Sequence, residues 1–150
     1  MTNRFNLDDF LPFRLNRLAG EVSERLAAIY AKKFNLDIPQ WRVLATLSAG
    51  PCTAQNIVSS TRTHKSTISR AVQQLEIRSL VERVVSKADK RAFVLRLTPE
   101  GDALFEELKP VVLEYEENLL AKLSQGDLRN LMKGVAAFET ALGLMENSAK

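Results

Sequence analysis

The sequence predicts a mainly α-helical chain with one small β-hairpin, and three observations carry that prediction. Apolar residues recur at three- and four-residue steps near both ends and in the middle of the chain, as on amphipathic helices. Helix-start residues precede most of these stripes: Asp37, Thr53, Thr98 and Ser124. Once only, after Leu80, the period shortens and β-branched and aromatic residues take over.

The first helix is expected over about Leu11 to Phe34, where Leu11, Leu15, Leu18, Val22, Leu26 and Ile29 form one stripe. The segment "NLDIPQW" breaks it and starts another: Asp37 can cap, Pro39 suits a first turn, and Gln40 completes a capping box. This second helix should turn Trp41, Val43, Leu44 and Leu47 inward and stop at Gly50 and Pro51. Thr53 can cap a short third helix through Val58. The run "THKSTISRAVQQLEIRSL", Thr63 to Leu80, reads as a fourth helix with Thr63 as its cap. At 100° per residue Ile68, Ala71, Val72 and Leu75 share a buried face, and Ser66, Arg70 and Gln73 lie opposite. Thr67, Ser69 and Gln74 flank that polar face. Strand-like "VERVVS" and "AFVLRLT" enclose the polar "KADKR", which reads as a hairpin with a projecting loop. Thr98 caps the next helix, with Pro99 at its first position and Glu100 in its first turn; Pro110 should kink or interrupt it. Its stripe runs through Leu104, Leu108, Val111, Val112, Tyr115, Leu119 and Leu123. "SQGD" opens a last helix carrying Leu128, Leu131, Met132, Val135, Phe138 and Leu142. Three helices followed by a two-stranded wing, about Ile38 to Thr98, make a winged helix-turn-helix, flanked by N- and C-terminal helices for dimerisation. The expected division is residues 1–37 for pairing, 38–98 for DNA and 99–150 for pairing.

Composition limits what such a chain can do. With 45% hydrophobic and 26% charged residues, its 150 residues suit a folded globular protein. No apolar run is long enough to span a membrane, the first residues do not read as a secretory signal, and one cysteine makes no intrachain disulfide. A cytoplasmic setting is the expectation. The net charge of +3 conceals an asymmetry, because Arg62 to Arg96 holds nine basic and three acidic residues and the remainder is net acidic. Clustered cations of this kind suit a polyanion; a merely solvated surface is the other reading. Enzyme chemistry lacks its usual marks: one His, one Cys, no Gly-rich phosphate loop, no metal-ligand spacing and no nucleophile elbow. The pairs Glu106/Glu107 and Glu116/Glu117 read as solvating charges. No cofactor or metal is expected.

The fourth helix and the wing are the candidate DNA-binding elements. Arg70 can hydrogen-bond guanine through two donors, Gln73 or Gln74 can pair with adenine, and Ser66, Thr67 and Ser69 can bond phosphates or bases. Thr63, His64 and Lys65 stand at the helix start. In the wing, Lys87, Lys90 and Arg91 can lie along phosphates or send one cation into the minor groove.

The run Ser66 to Gly101 resembles the signature region of the MarR family of bacterial transcription regulators. It carries Ser-Thr-x-Ser-Arg at Ser66–Arg70, Leu-Glu-x-Arg-x-Leu at Leu75–Leu80, Asp-x-Arg at Asp89–Arg91 and Leu-Thr-Pro-x-Gly at Leu97–Gly101. The resemblance extends in helix order over nearly the whole chain, including "WRVLATL" at Trp41–Leu47. It implies a homodimer on palindromic double-stranded operator DNA, usually as a repressor, with Lys65 to Gln73 reading the major groove. It also implies that Arg91 enters the minor groove and that Asp89 helps to hold it. His64 and Lys65 depart from the small or acidic residues and proline common there.

Dimerisation also follows from the residues. The stripes at Leu11 to Phe34 and Leu104 to Leu142 are more apolar surface than a three-helix domain of about sixty residues can cover. A second copy would cover them; one self-contained core is the alternative. The family's effectors are small, often aromatic or lipophilic anions, for which Phe10, Phe13, Arg14, Arg17, Trp41 and Phe105 are the candidate lining. The competing reading makes these aromatics core and the arginines solvated or DNA-facing. Cys52 offers a redox-responsive alternative against an inert buried thiol, and a winged-helix protein-interaction module is the alternative function.

Overall fold

The computed structural model describes residues 4–144. Its elements are α1 (Leu11–Phe34), α2 (Ile38–Ser48), α3 (Ala54–Thr61), α4 (Lys65–Ile77), β1 (Val81–Val85), β2 (Phe93–Leu97), α5 (Pro99–Leu120) and α6 (Gln125–Ala141), preceded by a 3-10 turn at Leu7–Asp9. The chain divides after Val112 into two compact units. The fold is the mainly helical, winged helix-turn-helix arrangement that the sequence predicts.

Three helix starts in the first unit, those of α2, α3 and α5, are capped by side chains. At α2 the Asp37 carboxylate accepts the Gln40 N–H at 2.9 Å while Gln40 Oε1 accepts the Asp37 N–H at 3.0 Å. Thr53 and Asn56 make the same reciprocal pair at α3. Thr98 starts α5: its hydroxyl accepts the Gly101 N–H at 3.0 Å and donates to the Ser79 carbonyl at 2.6 Å. The α4 start differs from expectation. His64, not Thr63, is its N-cap, and no side chain caps it. Thr63 is held instead in the turn, its hydroxyl donating to the Thr61 carbonyl and accepting from Arg42.

Helix ends account for the other differences. α3 runs past Val58 to Thr61, where Arg62 takes the left-handed conformation at φ 50°. α4 stops at Ile77 rather than Leu80. Ser79 turns left-handed at φ 59°, its N–H reaching the Glu76 carbonyl and the Leu80 N–H reaching that of Leu75, both at 2.9 Å. That pair of bonds is a Schellman ending. Pro110 does not interrupt α5, which continues to Leu120. Pro110 and Glu106 are both exposed, so water can meet the carbonyl that the proline leaves unbonded.

The core of the first unit is built on the predicted faces, Val43, Leu44 and Leu47 of α2, Ile68, Ala71, Val72 and Leu75 of α4 and Leu108 of α5, joined by Ile57 of α3 and Leu95 of β2. Trp41 is half-buried against this core rather than inside it. β1 and β2 pair antiparallel, Val81 opposite Leu97 and Val85 opposite Phe93. Cys52 adds an unforeseen isolated bridge to β2: its backbone exchanges two hydrogen bonds with Leu95, at 3.1 and 2.8 Å, joining the α2–α3 connection to the wing. In the second unit Ser124 caps α6 by accepting the Asp127 N–H at 3.0 Å, and Leu131, Met132, Val135 and Phe138 are exposed along the helix.

Candidate nucleic-acid interface

α4 separates its residues by face. Ile68, Ala71, Val72 and Leu75 are buried, and Ser66, Ser69, Arg70, Gln73 and Gln74 are exposed, with Thr67 half-buried. Lys65 and His64, at the helix start, are exposed. The two glutamines are not equivalent: Gln74 Oε1 accepts a 2.7 Å bond from Gln40 Nε2, which orients it toward α2. Gln73 has no such tie, leaving its amide available to a base edge.

The wing loop is ordered by its own side chains. Ser86 Oγ accepts from the Ala88 and Asp89 amides at 3.3 and 3.4 Å, and Asp89 Oδ1 accepts the Arg91 N–H at 3.0 Å. Two backbone bonds, Ser86 N–H to the Ala92 carbonyl and Ala92 N–H to the Asp89 carbonyl, close the loop. Asp89 therefore holds the backbone of Arg91 rather than its guanidinium, and no carboxylate among the described residues pairs with that cation. Lys87, Lys90 and Arg91 all stand in solvent.

Ion pairing sorts the nine cations of this region. Arg83 pairs with Glu76 at 2.8 Å, tying β1 to α4, and Arg96 pairs with Glu82 at 2.6 Å across the two strands. Arg78 spends its guanidinium on the Asn35 and Phe34 carbonyls, at 2.7 and 3.0 Å. The other six (Arg62, Lys65, Arg70, Lys87, Lys90 and Arg91) are exposed and make no ion pair with any described residue. They are the ones at the turn, on the polar face of α4 and in the wing, where a polyanion would meet them.

Arg62 was not separable from the basic run by sequence. It is exposed, in a left-handed conformation that an L-residue other than Gly or Asn adopts at a cost, immediately before the start of α4. Only a Gly or Asn there would have marked the position as a helix end.

The candidate effector residues fall into two groups. Trp41 stacks between Tyr30 and Phe105, with ring centroids 5.8 and 6.2 Å apart. Phe13 carries Arg17 over its ring at 5.3 Å, while Arg17 also pairs with Asp8 at 3.1 Å. Phe10 and Arg14 are exposed, and Arg14 and Arg17 border a surface groove of about 470 Å³ along α1 with Leu11, Leu15 and Leu18.

Tyr30, 1% exposed, has its phenol pushed up from 10.0 to about 12 by burial, with nearby Arg42 opposing and Asp37 adding to the shift. The folded state thus keeps a proton that the unfolded chain releases. Its contribution is intact below about pH 10 and should be lost as pH rises toward 12, at up to about 1.4 kcal/mol per pH unit. Denaturant midpoints measured against alkaline pH should fall in that window and recover in Tyr30→Phe.

Burial also pushes the Cys52 thiol up. Thiolate is the reactive form, so iodoacetamide should alkylate Cys52 more slowly than an unstructured cysteine peptide at about pH 7.5. Faster alkylation would restore the redox reading. Among the described residues no three His, Cys, Asp or Glu side chains are grouped to hold a metal, and no helix is long and apolar enough to cross a membrane.

A three-helix core with a recognition-type helix and a basic wing defines a winged helix-turn-helix DNA-binding protein. The MarR family matches residues 34–92. The chain is 35% identical over 111 residues to the uncharacterized HTH-type transcriptional regulator YwoH of Bacillus subtilis (strain 168), spanning 73% of this chain and 77% of that protein. It is 27% identical over 134 residues to the HTH-type transcriptional repressor IacR of Pseudomonas putida, spanning 87% and 78%. Among solved structures, a MarR/EmrR family transcriptional regulator from Acinetobacter sp. ADP1 superposes with a TM-score of 0.81 at 25% identity, over 94% of this chain and 100% of that one. A probable transcriptional regulator from Pseudomonas aeruginosa does so with a TM-score of 0.71 at 29% identity, over 89% and 99%. The chain belongs to the MarR family of transcriptional regulators. The family is not enzymatic, in line with the reading of the sequence.

Proposed function

We propose that this regulator is a cytoplasmic homodimeric repressor that binds palindromic operator DNA and is released by a small, aromatic or lipophilic anion. The observation that carries the proposal is the sorting of charge. Of the nine cations between Arg62 and Arg96, the six that neither pair with a described carboxylate nor bind backbone carbonyls lie at the turn, on the polar face of α4 and in the wing, while Arg78, Arg83 and Arg96 are tied up internally. α4 would lie in the major groove with Arg70 and Gln73 toward bases, Ser66, Thr67, Ser69 and Lys65 toward bases or phosphates, and Thr63, His64 and Gln74 at the margin. Lys87 and Lys90 would neutralise phosphates, and Arg91, placed by Asp89, would enter the minor groove.

Pairing would use residues 1–37 and 99–150, leaving 38–98 for DNA. Leu11, Leu15 and Leu18 of α1 are 46%, 44% and 57% exposed, and the α6 stripe is open too, which is apolar surface a second copy would cover. Twofold symmetry would then set the half-sites about 10 base pairs apart. IacR, by its name, is a repressor, which favours that sign of regulation here. An effector would act only by binding the DNA-incompetent spacing of the two recognition helices better than the competent one. In the groove along α1, Arg14 is the cation that could meet a carboxylate, since Arg17 is paired with Asp8 and Glu21 lines the same groove; Trp41 and Phe105, stacked on each other, would have to part to admit a ring.

Titrating the protein against duplex from immediately upstream of its own gene, at two salt concentrations and with random duplex as control, tests the proposal. Tight, salt-steep binding that prefers the upstream duplex is expected. No binding to either duplex at low salt would sink the operator reading and turn attention to an acidic protein partner.

A further inference from the structure

The Leu-Glu-x-Arg-x-Leu run places Arg78 in the signature region, yet its guanidinium does not join the unpaired cations. Arg78 is the C-cap of α4, and it is half-buried. Its two terminal nitrogens donate separately to the Asn35 and Phe34 carbonyls, at 2.7 and 3.0 Å. Those are carbonyls at the end of α1, where Asn35 turns left-handed at φ 52° and the helix leaves acceptors unbonded at the negative end of its dipole. One turn earlier on α4, Gln74 accepts from Gln40, whose side chain is 7% exposed and already closes the α2 capping box. Gln74 and Arg78 are four residues apart and therefore on the same side of α4. Two polar ties thus fasten the C-terminal half of α4 to the junction of α1 and α2.

We infer that Arg78, with Gln40, is a positioning residue for DNA recognition, fixing the direction in which α4 leaves the α1–α2 junction. The inference rests on the proposed roles of α1 in pairing and α4 in base reading. If α1 belongs to the dimer interface, the angle between α1 and α4 sets where the two recognition helices fall relative to each other. An apolar contact would hold α4 in place but let it slide or rotate, because dispersion is non-directional. A fork of two charge-assisted bonds to two successive carbonyls, with an amide bond a turn away, fixes rotation and translation together. Arg78 would then determine the half-site spacing that the dimer accepts, without touching DNA.

The test uses the full-length protein and a duplex selected by the wild type from a random pool, together with versions of that duplex whose half-sites are moved apart or together by one base pair. Arg78→Met keeps the side chain's stem and removes both bonds. It should lose about tenfold of the discrimination between the selected spacing and its neighbours. Its binding to random duplex, and the salt slope of that binding, should remain those of the wild type, because no phosphate contact is lost. Arg78→Lys keeps the charge and loses the fork, so its discrimination should fall between the two, and it decides the matter should the methionine variant not fold. A lower melting temperature with spacing discrimination intact in both variants would make Arg78 a stabilising residue only and overturn the inference. A salt slope reduced by about one would make it a DNA contact and overturn it equally. A wild type that selects no sequence at all would instead refute the operator reading on which the inference rests.

Discussion

Gly101→Ala is expected to destabilise the protein by about 3 kcal/mol, a large part of a typical folding free energy, and to lower its melting temperature by roughly 10 °C. A Cβ built on Gly101 would lie 2.0 Å from the Leu80 carbonyl oxygen and 3.0 Å from its carbon. The obstacle is backbone, which cannot rotate aside as a side chain can. The Leu80 carbonyl is itself committed, accepting the Thr98 N–H at 3.1 Å, and Thr98 binds the Ser79 carbonyl and caps α5. The end of α4, the root of the wing and the first turn of α5 therefore close on one another around Gly101, and room for a methyl group can come only from pulling α5 away. DNA binding should fall with stability, since the same contacts root the wing. Gly126→Ala is the control: a Cβ there would meet only the Ser124 hydroxyl, at an ordinary 3.9 Å, and the position lies off the apolar stripe of α6, so no loss of stability is expected. Thermal melts that moved both variants alike would refute the steric account.

The "LTPEG" segment shows how far the sequence could be read. Thr98 as cap and Pro99 in the first turn were legible because their chemistry is local: a hydroxyl three residues from an amide, and a residue that lacks an amide where none is needed. The reason for Gly101 was not, because it lies in a carbonyl twenty-one residues earlier. The same division holds through the first unit. The buried face of α4 followed from a 100° turn per residue, and the capping boxes at Asp37 and Thr53 from three-residue spacing. The ends of α3 and α4 differ from those the sequence predicts because Arg62 and Ser79 take left-handed conformations that a sequence signals only with Gly or Asn; Asn35, which does carry that signal, coincides with the expected end of α1. The candidate interface was legible as a set of residue types on one helix face and one loop. Which cations are spent internally was not, for Arg78, Arg83 and Arg96 look the same in sequence as Arg70 and Arg91. Their partners, at Phe34 and Asn35, Glu76 and Glu82, are brought near only by folding.

That sorting yields the second large effect, which separates two exposed arginines of equal charge. Arg70→Ala should lower the preference for cognate over random duplex by about 1–3 kcal/mol, the discrimination typical of a bidentate arginine–guanine contact, while leaving most of the random-duplex affinity in place. Arg70 lies on the face of α4 opposite Ile68, and among the described residues no carboxylate pairs with it. Arg91→Ala should weaken binding to every duplex and reduce the salt slope by about one, because a cation in the minor groove lies in the field of both phosphate strands and is counted by the ions it displaces more than by the bases it meets. Asp89→Ala should reproduce part of the Arg91 loss without removing a cation. Its carboxylate holds the Arg91 amide at 3.0 Å, so without it the guanidinium is presented from a looser loop. Competition titrations with cognate and random duplex at several salt concentrations measure all three changes. If Arg70→Ala weakens both duplexes equally, α4 does not read bases through that residue. If Arg91→Ala instead loses only the cognate preference, the wing is a sequence reader and the division of labour between helix and hairpin is reversed.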